Sequence, residues 1–265
     1  MSRSEQARVF HSLHGEGLLI LPNVWDAGSA RVIEEAGAKA IATSSAAVAW
    51  AHGYPDGQAI PADVLIATIH EIVRVVSVPV SADIEAGFAR DVDETAAFVS
   101  RVVDAGAVGI NIEDGSDPPD QLCAKIARVR RASDALWINA RVDVYLRKLA
   151  EGEAAYDETI SRARRYTEAG ASSIFVPGAT GETLIGRLVR NVGLPLNVLA
   201  WPGLPDAAKL SALGVRRLSA GTGIAKASLG HTHELAQNFL RDGRSQPFSE
   251  GPLASVNLNA LIQRT

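Results

Sequence analysis

The stretch that decides the fold is DAGAVGINIED, residues 104–114. It starts as the end of an amphipathic helix, turns at Gly106 and continues as an apolar strand that finishes on two acids. The same grammar recurs in EAGAKAIATS (35–44), EAGASSIFVPG (168–178) and ALGVRRLSAG (212–221). In each, a glycine (Gly37, Gly106, Gly170, Gly214) is placed to take the left-handed position after a helix, and a strand follows within a few residues. Helix-to-strand units spread along the chain in this way predict a repeated βα architecture.

Outward from these units, eight short apolar runs read as strands: 18–24, 40–45, 78–84, 109–114, 137–143, 173–178, 196–201 and 216–221. The segments between them read as amphipathic helices, with Val32, Ile33 and Ala36 on one stripe and Ala96, Phe98, Val99, Val102 and Val103 on another. Eight parallel strands with helices outside predict an α/β fold, a closed (β/α)8 TIM barrel. A doubly wound sheet would carry a glycine-rich fingerprint after its first strand, and PNVWDAGSAR (22–31) has none. A single domain over residues 1–265 is expected. Its C-terminal helical extension, from about residue 243, is expected to pack on a neighbouring subunit, with helix exchange as one form of that packing.

The 265 residues are 47% hydrophobic, enough for a large core, and carry a net charge of −4, which gives no footprint for nucleic acid. Cys123 is the single cysteine, so no internal disulfide forms, in keeping with a reducing cytoplasm. No secretory signal pattern and no long uninterrupted apolar run is present, which predicts a soluble cytoplasmic protein without a membrane partner.

In a barrel of this kind, function sits at the C-terminal ends of the strands. Those ends carry Asn23, Trp25 and Asp26; Thr43, Ser44 and Ser45; Asp83 and Glu85; Asn111, Glu113 and Asp114; Asn139, Arg141 and Asp143; Asn197; and Ser219. The second loop adds His52 and Asp56. Singly, such residues are ordinary turn and cap formers, and Asp26 and Asp114 are expected to cap helices. Together, Asp56, Asp83, Glu85 and Glu113 converge on one mouth, and Asp83 and Glu85, two apart on a strand, point the same way. Unpaired carboxylates so gathered resist ionisation, and a divalent cation removes the problem. All-oxygen donors favour Mg²⁺, or Mn²⁺, over Zn²⁺. Asp83 is the expected direct ligand, and Asp56, Glu85 and Glu113 hold bound waters. Arg141 offers a fork suited to a carboxylate, the alternative being an ion pair with one of the acids. A metal and an arginine together fit a small 2-oxo or 2-hydroxy carboxylate. Thr43, Ser44 and Ser45 are placed to donate to it.

The segments LPNVWDAGSAR (21–31), TSSAAVAWAHGYPDG (43–57), VPVSADIEAGF (78–88), GINIEDG (109–115) and INARVD (138–143), in this order, resemble the isocitrate lyase/phosphoenolpyruvate mutase superfamily. The likeness runs over roughly residues 18 to 240. It implies a (β/α)8 barrel that binds Mg²⁺ and a 2-oxo acid or its enolate and makes or breaks an adjacent C–C or P–C bond. By position, Asp83 resembles the direct metal ligand and Asp56, Glu85 and Glu113 the water-mediated shell. Ser44 and Ser45 resemble the holders of the substrate carboxylate and oxo oxygen, and Arg141 its arginine. Members are usually homotetramers, dimers of dimers with an exchanged C-terminal helix. The Lys-Cys-Gly-His loop of isocitrate and methylisocitrate lyases is missing: that place reads EDGSDPPDQLCAKI (113–126). The longer gating loop of the phosphonate enzymes is missing too.

These readings predict a Mg²⁺-dependent carbon–carbon lyase in which Arg141, Glu113 and Ser44 act on the substrate and Thr43, Ser44, Ser45, Arg141 and Asn197 bind it. Tyr54, Glu113 and His52 are the candidate bases for a retro-aldol step; decarboxylation needs none. A P–C mutase or hydrolase and a non-catalytic 2-oxo acid binder are the alternatives. A Schiff-base aldolase needs a lysine at a strand end, and Lys39, Lys125, Lys148, Lys209 and Lys226 are not there. A phosphate barrel would rest on SAGTG (219–223) alone.

Overall fold

The computed structural model describes residues 1–251 and 256–263. Its strands are β1 (Leu19–Leu21), β2 (Asn23–Val24), β3 (Ile41–Thr43), β4 (Val80–Asp83), β5 (Gly109–Glu113), β6 (Trp137–Arg141), β7 (Ser173–Phe175), β8 (Leu196–Leu199) and β9 (Arg217–Ser219), all paired in parallel. β1 pairs with β9 and β2 with β3, so the run 19–24 closes the sheet on both sides. It is one barrel strand broken at Pro22. That residue has no N–H to give the ladder, but its carbonyl still accepts from Ala42 N–H at 3.1 Å. The eight expected strands are therefore all present, in a closed barrel.

The helices are α1 (Arg3–Gly15), α2 (Ala27–Glu35), α3 (Ser45–Ala51), α4 (Ala62–Val75), α5 (Val92–Asp104), α6 (Pro119–Ala132), α7 (Gly152–Ala169), α8 (Glu182–Asn191), α9 (Ala207–Leu213), α10 (Gly223–Asp242) and α11 (Leu258–Ile262). Gly37, Gly106, Gly170 and Gly214 all have positive φ, as the repeated grammar requires. At Gly106 a β-carbon would also lie 2.6 Å from Val73, so side-chain bulk is excluded there twice over.

The strands alternate between two environments. Ile110, Ile112, Ile138, Ala140 and Ile174 are buried beneath the helices with Val99, Val102, Ile126 and Val129. Between them, Asn111, Asn139 and Ser173 face the barrel axis and bond one another: Ser173 Oγ–H donates to Asn139 Oδ1 (2.6 Å) and Asn139 Nδ2–H to Asn111 Oδ1 (2.7 Å). The N-terminal end of the barrel is plugged by α1. Phe10 is fully buried, and His14 stacks on Trp137 with centroids 4.1 Å apart.

At the other end of the chain, α10 buries only Ala225. The terminal α11 rests on α2 of its own chain, where Arg31 Nε–H donates to the Leu261 carbonyl at 3.1 Å. Exchange of this helix between subunits is not seen in the single chain. Among the described residues no helix is long and apolar enough to cross a membrane.

Candidate active site

β4 ends at Asp83, and the surrounding chain holds that carboxylate firmly. Its amide donates to Thr43 Oγ1 (2.8 Å), and its Oδ2 accepts from Ser45 N–H (3.2 Å) and Ser45 Oγ–H (3.0 Å). Burial raises the Asp83 carboxyl pKa, against the pull of Arg141 and Ser45.

Glu85 is not on the strand. Its φ of +50° is left-handed, an uncommon conformation for a residue with a side chain, so the two-residue alternation that aimed Asp83 and Glu85 together does not apply. The turn brings them together another way: Glu85 N–H lies 3.5 Å from Asp83 Oδ1, and the Glu85 carbonyl accepts from Glu113 N–H at 2.9 Å. Gly87 completes the turn where a β-carbon would meet Thr95 at 2.6 Å. The Glu85 side chain is buried and its Oε1 has no hydrogen-bond partner. Burial, with repulsion from Asp83 and Asp56, pushes its carboxyl up to about 7.

Arg141 ends β6. Its Nε and Nη2 donate to Asp143 (2.6 and 3.0 Å), and Nη1 lies 2.6 Å from Glu113 Oε2. The ion pair foreseen as an alternative role for Arg141 is thus present, and Glu113, expected around the metal, is engaged by the arginine. Arg147 also reaches Asp143 (3.1 Å) and Glu113 (3.7 Å). Burial pushes the Glu113 carboxyl up to about 8, Arg141 opposes this, and Asp143, Asp83 and Glu85 add to it. For Arg141, burial disfavours the charge, but Glu113, Asp143 and Asp83 outweigh it and raise its pKa further. Asp114, expected as a helix cap, is instead a buried post. It accepts from Tyr166 OH (2.6 Å), Arg162 Nη1 (2.9 Å) and the amide of Asp143 (3.0 Å), fixing the carboxylate that orients Arg141. Asp26 does cap α2.

A cavity of ≈170 Å³ opens at the C-terminal ends of the strands. Asn23, Ser44, Ser45, Asp56, Asp83 and Asn111 line one part of it, together with Arg141. Leu146, Phe175, Pro177, Leu199 and Trp201 line the part after β6, β7 and β8, and Ser219 and Thr222 close the ring. The structure does not bring every expected residue to this space. Thr43 is fully buried and spent on the Asp83 amide. Asn197 is fully buried, accepting from Ser219 Oγ–H at 3.2 Å. Glu85 and Glu113 lie behind the lining. His52 faces Thr68 at 2.9 Å, and Tyr54 packs on the helix-side core. Cys123 is half-buried in α6, outside the cavity.

The floor was the less legible part. Asn111 and Ser219 were visible as strand ends, but the group that orients them was not. Arg217, 1% exposed, crosses the barrel to donate from Nη2 to Asn111 Oδ1 (3.2 Å) and from Nε to Ser219 Oγ (3.0 Å). With Asn139 also donating to it, Asn111 Oδ1 is saturated, and the amide turns its N–H donors toward the cavity. The wall residues carry no polar signal and could be found only from their place after strand ends.

Among the described residues no three His, Cys, Asp or Glu side chains form a cage for a metal ion. Mg²⁺ does not require one, since it keeps several waters and binds through one or two carboxylates. The buried, unpartnered Glu85 Oε1 and the mutual repulsion of Asp56, Asp83 and Glu85 are what a cation at this rim would relieve, so the residues present fit the ion.

The phosphoenolpyruvate phosphomutase family profile matches residues 10–240. An uncharacterized protein of Mycobacterium tuberculosis is 37% identical over 251 residues, 91% of this chain and 93% of that one. The 2-methylisocitrate lyase of Escherichia coli is 30% identical over 74% of this chain and 70% of its own. A crystal structure from Burkholderia cenocepacia superposes with a TM-score of 0.88 at 34% identity, covering 97% and 95% of the two chains. Phosphonopyruvate hydrolase, solved with oxalate and Mg²⁺, shares the fold at a TM-score of 0.84 and 22% identity, over 98% and 95% of the chains. With this profile over most of its length and a 2-methylisocitrate lyase 30% identical over 74% of it, the chain belongs to the phosphoenolpyruvate mutase/isocitrate lyase superfamily.

Proposed function

We propose that the protein is a Mg²⁺-dependent lyase that breaks the C–C bond adjoining the 2-oxo or 2-hydroxy carboxylate unit of a small mono- or dicarboxylate, so that negative charge develops on the substrate oxygen beside that unit. The observation that carries this reading is the pairing of Asp83 and Arg141 on one cavity. Asp83 would hold the metal directly, with Asp56, Glu85 and Glu113 around it through bound water. The ion, when bound, supplies Lewis-acid stabilisation of negative charge developing on the substrate oxygen.

The chain's own groups do the rest. A guanidinium has five N–H donors, and the contacts of Arg141 with Asp143 and Glu113 leave part of its fork facing the cavity, held rigid for a substrate carboxylate. Ser44 adds a hydroxyl with no capping duty, and Asn111 adds an amide N–H from the floor. Ser45 orients Asp83 rather than the substrate. Among the described residues that line the cavity there is no Cys, His, Tyr or Lys to act as a general acid. That favours a cleavage whose departing group needs no proton, decarboxylation above all, over isocitrate-type chemistry.

The test is a Mg²⁺-supplemented screen of 2-oxo and 2-hydroxy acids that follows pyruvate and CO₂. Turnover that disappears with EDTA and returns with Mg²⁺ is expected. Heat on titration with oxalate and Mg²⁺, but no product from any acid, would mean a binding protein instead.

A further inference from the structure

Resting on that reading, we infer that Arg217 is a positioning residue of this site: through the Asn111 amide it aims positive charge at the substrate oxygen that turns negative as the bond breaks. Arg217 lies beneath the floor and does not itself line the cavity. Asn111 does. It stands beside Asp83 in the register of β4 and β5, and two residues before Glu113, whose partner on β6 is Arg141. The amide therefore lies below the gap between the expected metal ligand and the arginine.

The donors of the floor are sharply divided. Ser219 gives its O–H to Asn197 Oδ1, and Asn23 gives one N–H to the Thr43 carbonyl (2.8 Å). Asn111 Oδ1 accepts from Asn139 Nδ2 (2.7 Å) and Arg217 Nη2 (3.2 Å), while its own Nδ2 has no acceptor among the described residues. A guanidinium on the acceptor side of an amide polarises it and strengthens the N–H donors on the other side.

The second argument is what Arg217 costs. It is buried, no carboxylate pairs with it among the described residues, and its Nη1 has no partner. Burial pulls its pKa down to about 9, with Asp83 opposing, so it is still a cation at neutral pH. On its other side lies His14, which burial and the same guanidinium keep neutral. A buried charge without a counter-ion destabilises a fold. Nor do its neighbours need it: without the guanidinium, Asn111 Oδ1 keeps Asn139 and Ser219 Oγ keeps Asn197. A charge that the fold neither pairs nor requires is accounted for by an anion that arrives. An enolate, which carries its carboxylate and a second negative oxygen, gains more from it than a singly charged 2-oxo acid does.

Oxalate, a planar dianion, has the charge of the enolate, and pyruvate, a monoanion, has that of the ground state. Calorimetry in MgCl₂ measures oxalate by direct titration and pyruvate by displacement. Arg217→Met, close in length but uncharged, is expected to weaken oxalate about tenfold and pyruvate by no more than about twofold. Its thermal midpoint should equal or exceed that of the wild type. Asn111→Ala should lower the same oxalate-to-pyruvate preference, and the double variant should lose no more than Asn111→Ala alone, because Arg217 acts through that amide. An unchanged preference in Arg217→Met, a variant that fails to fold or melts well below the wild type, or additive losses in the double variant would each overturn the inference while the lyase reading stands. If oxalate does not bind the wild type at all, the lyase reading falls and takes the inference with it.

Discussion

Glu85 shows how much of the site is decided at the scale of one residue. A side chain at φ +50° costs on the order of 1–3 kcal/mol, and such strain persists where the surrounding structure over-determines it. Here it places a buried carboxylate beside Asp83 with one oxygen unpartnered. The sequence showed the two acids and their spacing but attributed their convergence to strand alternation, because a left-handed glutamate leaves no mark in composition. Asp83 itself was legible from its place at a strand end. Its replacement by Ala should abolish Mg²⁺ binding and, with it, oxalate binding in Mg²⁺, read by calorimetry; full metal affinity in that variant would remove Asp83 as the direct ligand. Arg141→Lys keeps the charge but loses the fork. Metal affinity should change little, while oxalate binding in Mg²⁺ weakens by roughly 1.5–3 kcal/mol, the range for a hydrogen bond to a charged group.

At the scale of elements, the helix-to-strand units were readable because glycine, helix stripe and apolar strand are all local signals. The break at Pro22 was readable only as a residue, since it takes β3 and β9 on either side to show that one strand closes the barrel. The role of α1 was not readable at all: its plug depends on contacts with Gly109 and Trp137, about a hundred residues away. A β-carbon at Gly109 would lie 2.8 Å from Phe10. His14 completes the plug, giving its Nδ1–H to the Phe10 carbonyl (2.8 Å) with Nε2 buried and unpartnered. Burial, then the charge of Arg217, lowers its pKa from 6.5 to about 3. Below pH 6.5 the unfolded chain therefore binds a proton that the folded chain refuses. This contribution is complete above that pH and is lost as pH falls toward 3, by about 1.4 kcal/mol per unit. Urea midpoints for wild type and His14→Leu at about pH 7.5 and pH 5 should show a difference of about 2 kcal/mol in acid sensitivity, the variant being the less sensitive. Equal acid sensitivity would mean that His14 is not held neutral.

For the whole molecule, the closed barrel satisfies its own strand edges, so any association must come from the helical shell. That shell is uneven. α10 runs for 20 residues and buries only Ala225, leaving Leu229 at 55% exposed and Leu240 at 84%. Phe239 and Phe248 pack ring to ring at a tilt of 50° with centroids 5.3 Å apart, and both remain about half exposed. An apolar helix face of this extent is expected to be covered, and a second copy of the chain is the occupant that the family resemblance implies. The expected species is a tetramer of the 27.9 kDa chain, arranged as a dimer of dimers. Light scattering coupled to size-exclusion chromatography measures it directly. Leu229→Asp combined with Leu240→Asp should lower the mass to that of a smaller species while leaving the helical circular dichroism intact, because neither side chain contributes to the core of its own subunit. A wild-type mass equal to one chain would mean that the α10 face stays in water, and a double variant that keeps the tetramer would place the interface elsewhere on the shell.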